Sequence, residues 1–481
     1  MKELMLRALD LAEVRGAQYA DVRIVETTNQ QIAAKDGVVT TLTVDESRGF
    51  GIRVLFEGAW GFASSQTLSG SEVDRMTDLA CQIARASALV PGKSLISLGP
   101  PISSQGMYQT PLQIDPLAVP IEDKVAMLLE ADREMGRVEG VKVRRGNVVA
   151  IREHKLFANS QGAFTDQLIY EVGAGISALA VSEGDVQVRS YPNSHSRQQV
   201  TGGWEMVQQW DLPGNAGRVA TEAVQLLNAE ACPRDVTTTV ILGGTQLALQ
   251  IHESCGHPIE LDRVFGAEAA FAGTSFLTTE KLNRFRYGSE VVNITADAVR
   301  PQGLGTFGWD DEGVPAQSTP IVRDGIFTGY LMSRETASEL GLVSNGCMRA
   351  SSWNRLPLIR MTNVSIEPGD WRLDDLIADT EEGIFMDVNR SWSIDDRRYN
   401  FQFGTEMGYE IKNGKLGRML RNCTYTGITP EFWRSCDAVC DEDHWQMWGT
   451  PNCGKGQPLQ VAHTGHGAAP ARFRNVRVGI G

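Results

Sequence analysis

The chain has 481 residues, 42% hydrophobic and 22% charged, which is enough for two or three globular domains with a sizeable core. Its net charge is −14 and it carries no long Lys/Arg block, so it lacks the footprint of a nucleic-acid binder. No apolar run approaches about 18 residues, the opening MKELMLRALDLAEVRG is no signal peptide, and eight Cys make no disulfide scaffold, so a cytoplasmic protein with no membrane partner is expected.

Residues 1–17 predict an amphipathic helix, with Leu4, Ala8 and Leu11 on one stripe and Met5 and Ala12 beside it. From 20 to 65 the pattern turns to short strands: ADVRIVET, QQIAAKD, GVVTTLTV and GFGIRVLFEGAWGFASS, separated by polar or Gly-containing turns. Residues 69–90 predict a helix that Ser71 could cap. Residues 91–122, rich in Pro and Ser, predict a long connection. A helix over 122–137, strand-rich sequence, an unassigned stretch at 207–212 and a helix over 216–229 follow. ACPRDVTTTVILGG (231–244) opens a second domain, and from Leu277 onward the pattern predicts mostly strands with turns such as RDGIFTGY and KNGKLGR. The expected class is α+β: a mixed N-terminal domain over 1–230, with a connection near 91–122, then a β-rich domain over 231–481.

The chemistry concentrates in HESCGH, His252–His257, which follows VILGGTQLALQI, a strand, turn and apolar helix. The usual zinc-peptidase spacing places two His four apart on one helical face. Here they are five apart, which at about 100° per residue leaves them roughly 140° apart on a regular helix. Both reach one metal if the helix breaks at Gly256 and Pro258, or if a π-type bulge intervenes. Glu253, beside the first His, is the type of group that serves as a general base. Two satisfied histidines at a helix end are the competing reading.

A catalytic zinc takes three protein ligands. His444, His463, His466 and Cys453 are the late candidates for the third. His466 could instead donate to a developing oxyanion, and the AHTGHGAAP run could be an ordinary polar turn. Cys423, Cys436, Cys440 and Cys453 are spaced wrongly for paired zinc knuckles and read as separate thiols. Cys255 reads as a packing residue. GLGTFG (303–308) is a loose glycine cluster, not a dinucleotide fingerprint.

Four blocks, GTQLALQIHESCGHPIELDR, DDEGVPAQSTPIVRDGIFTGYL, RASSWNRLPLIRMTN and NCGKGQP, carry a resemblance over essentially the full length. The chain resembles the TldD/PmbA family of metallopeptidases, and its catalytic TldD-type members in particular. The resemblance implies a Zn2+ held by His252, His257 and Cys453, with Glu253 as general base. It implies a barrel-like C-terminal domain that carries the metal-binding helix. It also implies a dimer, with itself or with a PmbA-type subunit, whose enclosed site admits unfolded polypeptides or short peptides. Glu260 and Asp262 are candidate partners for the imidazole N–H groups. One block, CGKGQPLQVAHTGHGAAPARFR, is richer in His than the commoner TldD form. The rivals are a non-catalytic peptide-binding subunit, which should lack the motif residues or the late Cys, and a metal-dependent oxidoreductase.

Overall fold

The computed structural model describes residues 1–90, 96–194, 197–456 and 459–479. The start of the expected connection, 91–95, and residues 457 and 458 of the NCGKGQP block lie outside the described residues.

The N-terminal half is one eight-stranded sheet covered by helices. After α1 (Lys2–Val14) come β1 (Tyr19–Lys35), β2 (Val38–Phe56), β3 (Ala59–Ser65) and α2 (Gly70–Ala88). Then come β4 (Gln105–Gln109), α3 (Ile121–Gly136), β5 (Val141–Asn159), β6 (Phe164–Ser182), β7 (Asp185–Tyr191), β8 (Gln198–Thr201), α4 (Glu205–Trp210) and α5 (Leu212–Asn228). The spatial order is β3-β2-β1-β5-β6-β4, with β7 and β8 also paired to β6.

Period-two alternation decides which side the helices take. Ala20, Val22 and Ile24 of β1 pack with Met5 and Ala8 of α1 and Val73, Met76 and Ala80 of α2. Ile32 and Ala34, of the same parity, pack with Leu128 and Met135 of α3 and Val219 and Ala223 of α5. The other face carries Arg23, Arg53 and Lys155 and meets the C-terminal half.

Several sequence expectations shift. The expected short strands ADVRIVET and QQIAAKD are one 17-residue strand, β1; its polar middle pairs β2 and β5 without a turn. Ser69, not Ser71, caps α2, accepting from the Glu72 N–H. The 91–122 stretch is not all connection, because β4 adds parallel to β6. The unassigned 207–212 stretch is mostly the short α4. Asp211, in the left-handed region at φ 43°, caps α5, which starts at Leu212, ahead of the expected 216.

In the C-terminal half, five strands close on themselves. Glu382–Ile394, Val236–Leu242, Ala471–Val478, Thr424–Ile428 and Asn400–Lys412 pair in turn, and the last pairs back to the first. Phe401, Phe403, Tyr425, Phe432, Trp433 and Phe473 form the aromatic part of its core. Ahead of Glu382, however, the expected run of strands is largely irregular chain with short strands such as Ile294–Asp297 and Ser318–Arg323. Around the DDEG block the reason is visible. Asp310 accepts the backbone N–H groups of Glu312, Val314 and Met348, and Asp311 that of Ala350. Buried carboxylates there do what ladder partners do in a strand.

The same block docks the two halves. Asp311 lies 2.9 Å from Lys155 Nζ and 3.4 Å from Arg23 Nη1, and Glu312 lies 3.4 Å from Arg53 Nη2. Gly49 and Gly51 leave room for Trp353 on this face; a Cβ at residue 49 would stand 2.4 Å from its ring. Among the described residues no helix is long and apolar enough to cross a membrane.

Candidate metal centre

α6 (Gly244–Ile251) follows the barrel strand Val236–Leu242 and runs straight into a π-helical turn, His252–Gly256. The His257 N–H donates to the His252 carbonyl at 3.1 Å, an i→i+5 bond. Residues five apart therefore stack one turn above another, and the two imidazole centroids lie 4.8 Å apart. Of the two routes the spacing allows, the helix break is not the one taken: His257 keeps helical dihedrals, φ −67° and ψ −43°. The bulge alone reconciles the five-residue spacing with one face.

The turn is held from behind. Trp433 Nε1–H donates to Ser254 Oγ at 2.9 Å and the Tyr287 hydroxyl to the Ser254 carbonyl at 3.0 Å. Gly256 lets Met361 pack close, since a Cβ there would stand 2.3 Å from the Met361 sulfur. Cys255 is fully buried, and burial pushes its thiol up to about 12, which suits packing and not nucleophilic attack.

Cys453 comes from the two-stranded sheet of Gln446–Lys455 and Gln460–Ala468. A bulge between Thr450 and Cys453 interrupts the register beside it. Its Sγ lies 3.8 Å from His257 Nε2. The donor atoms of His252, His257 and Cys453 all lie within 4.8 Å of one another, and no other such trio gathers among the described residues. Neither a four-thiolate site nor a ligand role for His444 is found: His444 pairs with Asp441 at 2.6 Å. Burial lowers the pKa of both imidazoles. For Cys453 burial opposes the thiolate, but the neighbouring His257 and Arg360 outweigh it and the thiol falls below its ordinary value.

Around these atoms stands a set of orienting partners. His257 Nδ1 lies 3.1 Å from Glu260 Oε2. Glu260 is fully buried; that burial is outweighed by Lys455, His257 and Arg263, which hold its carboxyl well below the usual range. Asp262 does not touch an imidazole. It accepts from Lys455 Nζ at 2.8 Å, because the buried ammonium needs the second carboxylate. His252 Nδ1 lies 2.7 Å from His466 Nε2. His463 instead meets Glu171 at 2.6 Å and lines a separate cavity. His466, fully buried, does not line the cavity of about 540 Å³ that His252, Glu253, His257 and Cys453 share, so the oxyanion role considered for it has no geometry.

Glu253 faces that cavity, and Arg398 Nη1 donates to its Oε2 at 2.9 Å. Arg398 gave no signal in the sequence: it sits in the DDRRYN turn, far along the chain from the motif. Lys455, the Lys of the CGK block, had no assigned part either. Its role appears only once Glu260 and Asp262 are seen on either side of it.

Comparison with known proteins matches three successive stretches to one family. Residues 20–84 match PmbA/TldA metallopeptidase domain 1, residues 114–229 its central domain and residues 236–479 its C-terminal domain. A metalloprotease of Methanocaldococcus jannaschii is 30% identical, over 93% of this chain and 94% of its own. A metalloprotease of Methanothermobacter thermautotrophicus is 29% identical, over 96% and 95%. The crystal structure of a Thermotoga maritima protein, named as a candidate modulator of DNA gyrase, shares the fold with a TM-score of 0.78 over 99% of both chains at 17% identity. On these matches, the chain belongs to the PmbA/TldD metallopeptidase family.

Proposed function

We propose that this chain is a zinc-dependent peptidase that cuts unfolded polypeptides and short peptides. The observation that carries the proposal is the shared cavity: one carboxylate and three metal-type donor atoms open onto the same space. The donor set suits Zn2+: two imidazole nitrogens and one thiol sulfur, all buried and gathered at one place. His252, His257 and Cys453 would hold the ion. Zinc, when bound, supplies Lewis acidity to a peptide carbonyl and to water. Arg398 fixes one oxygen of Glu253. The other would take a proton from the attacking water and return it to the leaving amine.

Depth supports the substrate class. His252, Glu253, His257 and Cys453 are only 3–7% exposed, which favours an extended chain over a folded domain as the substrate. Residues 448–454 of the strand Gln446–Lys455 line the cavity, so an extended substrate would lie along it. We take the enclosure to be completed by a second subunit, either another copy or a PmbA-type partner. The test pairs metal analysis with hydrolysis of an unfolded protein, wild type against Glu253→Gln. Retained metal with lost hydrolysis is expected; wild-type binding of the substrate without cleavage would instead make the chain a peptide-binding subunit.

A further inference from the structure

A third histidine touches the cluster without joining it. His466, on the strand Gln460–Ala468, has no exposed surface. Its Nε2 stands 2.7 Å from His252 Nδ1, and its Nδ1 stands 2.8 Å from the Val364 carbonyl oxygen. These two contacts locate the protons. A carbonyl only accepts, so His466 Nδ1 carries a hydrogen. A second hydrogen on Nε2 would make His466 a buried imidazolium. Its hydrogen-bond neighbours are Val364 O, His252 Nδ1 and Thr464 Oγ1, none of them an anion, and a buried charge without a counter-ion is strongly disfavoured. His466 Nε2 is therefore a bare acceptor. The 2.7 Å contact then needs its hydrogen from His252 Nδ1. A neutral imidazole protonated at Nδ1 keeps its lone pair on Nε2.

We propose that His466 is a positioning residue: it holds His252 in the Nδ1–H tautomer and leaves Nε2 bare for the cluster with His257 and Cys453. The inference deepens the zinc-site reading and rests on it. His257 is oriented in parallel by a carboxylate, with Nδ1 at 3.1 Å from Glu260 and Nε2 toward Cys453. The two imidazoles thus present the same nitrogen through different acceptors. The carboxylate also makes its imidazole more basic; the neutral His466 fixes a tautomer without adding charge.

Two substitutions separate this role from packing. His466→Gln keeps an acceptor for His252 and an N–H for Val364, whereas His466→Leu keeps bulk and loses both. Zn2+ affinity, measured by chelator competition, should fall about 10–100-fold for His466→Leu and stay near wild type for His466→Gln. Circular dichroism of the metal-free variants reports whether each is folded. Affinity retained by the Leu variant and lost by the Gln variant would overturn the proposal in favour of packing. The second readout needs no metal. In the zinc-free wild type with 15N-labelled histidine, a two-bond 1H–15N correlation spectrum reads the tautomer of His252, identified by its loss in His252→Gln. An Nδ1–H signal is expected, and an Nε2–H signal overturns the proposal even if zinc binds. An Nδ1–H signal in a protein that binds no zinc upholds the tautomer and rejects the metal site.

Discussion

Arg398 reaches Glu253 across 145 residues of sequence, its Nη1 donating to Glu253 Oε2 at 2.9 Å. Arg398 stands at φ 63°, a region that non-glycine residues rarely occupy. Burial lowers its pKa, and Glu253 is the main group opposing that loss. A strained turn thus aims a half-buried guanidinium at one carboxylate. Arg398→Leu should keep the metal and lower kcat by about 10–100-fold, the worth of one charged hydrogen bond. Glu253→Gln should cost more, about 10²–10⁴-fold. Steady-state kinetics with metal content on the same samples checks both, and an unchanged kcat in Arg398→Leu would remove it from the machinery.

Cys453→Ala leaves two imidazoles where three donors stood. Zinc content after dialysis against a weak chelator should drop sharply, since catalytic zinc takes three protein ligands. Circular dichroism should show an intact fold, because the substitution removes one small buried group. Full zinc occupancy in this variant would move the third ligand elsewhere.

The depth of the cluster makes a prediction about substrates. A protein offered in two states, a stable parent and a destabilised mutant, should be degraded only in the second. Equal degradation rates, with the parent's folded state confirmed by circular dichroism, would mean that the site is open.

Glu171 on β6 joins the two halves through His463, at 2.6 Å, with Gln199 Nε2 donating at 2.7 Å. Burial works to raise its pKa, but His463 and Gln199 outweigh that and hold the carboxyl below its ordinary value. The unfolded chain therefore binds the proton first as pH falls. The pair's contribution is present above the unfolded value and is lost as pH drops through the folded one. Glu171→Gln should be less stable than wild type at neutral pH, by about 1–3 kcal/mol. Below the unfolded value the gap should narrow. Urea unfolding at neutral and acidic pH measures it; a gap that does not change with pH would assign the loss to packing alone.

His252, Glu253 and His257 are legible together because they share one turn, whereas Cys453 stands among four late candidates and only the family resemblance singles it out. What stayed hidden depends on chain crossing. Nothing around Arg398, or around Val364 behind His466, marks them until the fold brings the DDRRYN turn and the strand Val364–Ile366 up to the π turn. The long strands were misread for a related reason. The polar stretch from Glu26 to Gln30 looks like turns, yet it continues β1 because β2 and β5 satisfy its backbone on both sides. Around 310–350 the pattern predicts strands but the chain is largely irregular, because Asp310 and Asp311, buried, replace ladder bonds in a way composition does not reveal.

The docking of Asp311 and Glu312 onto Arg23, Arg53 and Lys155 also decides what can be separated. A fragment starting at residue 236 would keep the barrel, the π turn and all three donor atoms. It would also keep Asp310, Asp311 and Glu312 side by side with three cations gone. Breaking one buried pair costs about 3–5 kcal/mol, comparable to much of a domain's net stability. The half that bears the chemistry is therefore not a minimal enzyme. Its integrity is written into β1, β2 and β5, and damage to that distant sheet would be felt as loss of the whole protein.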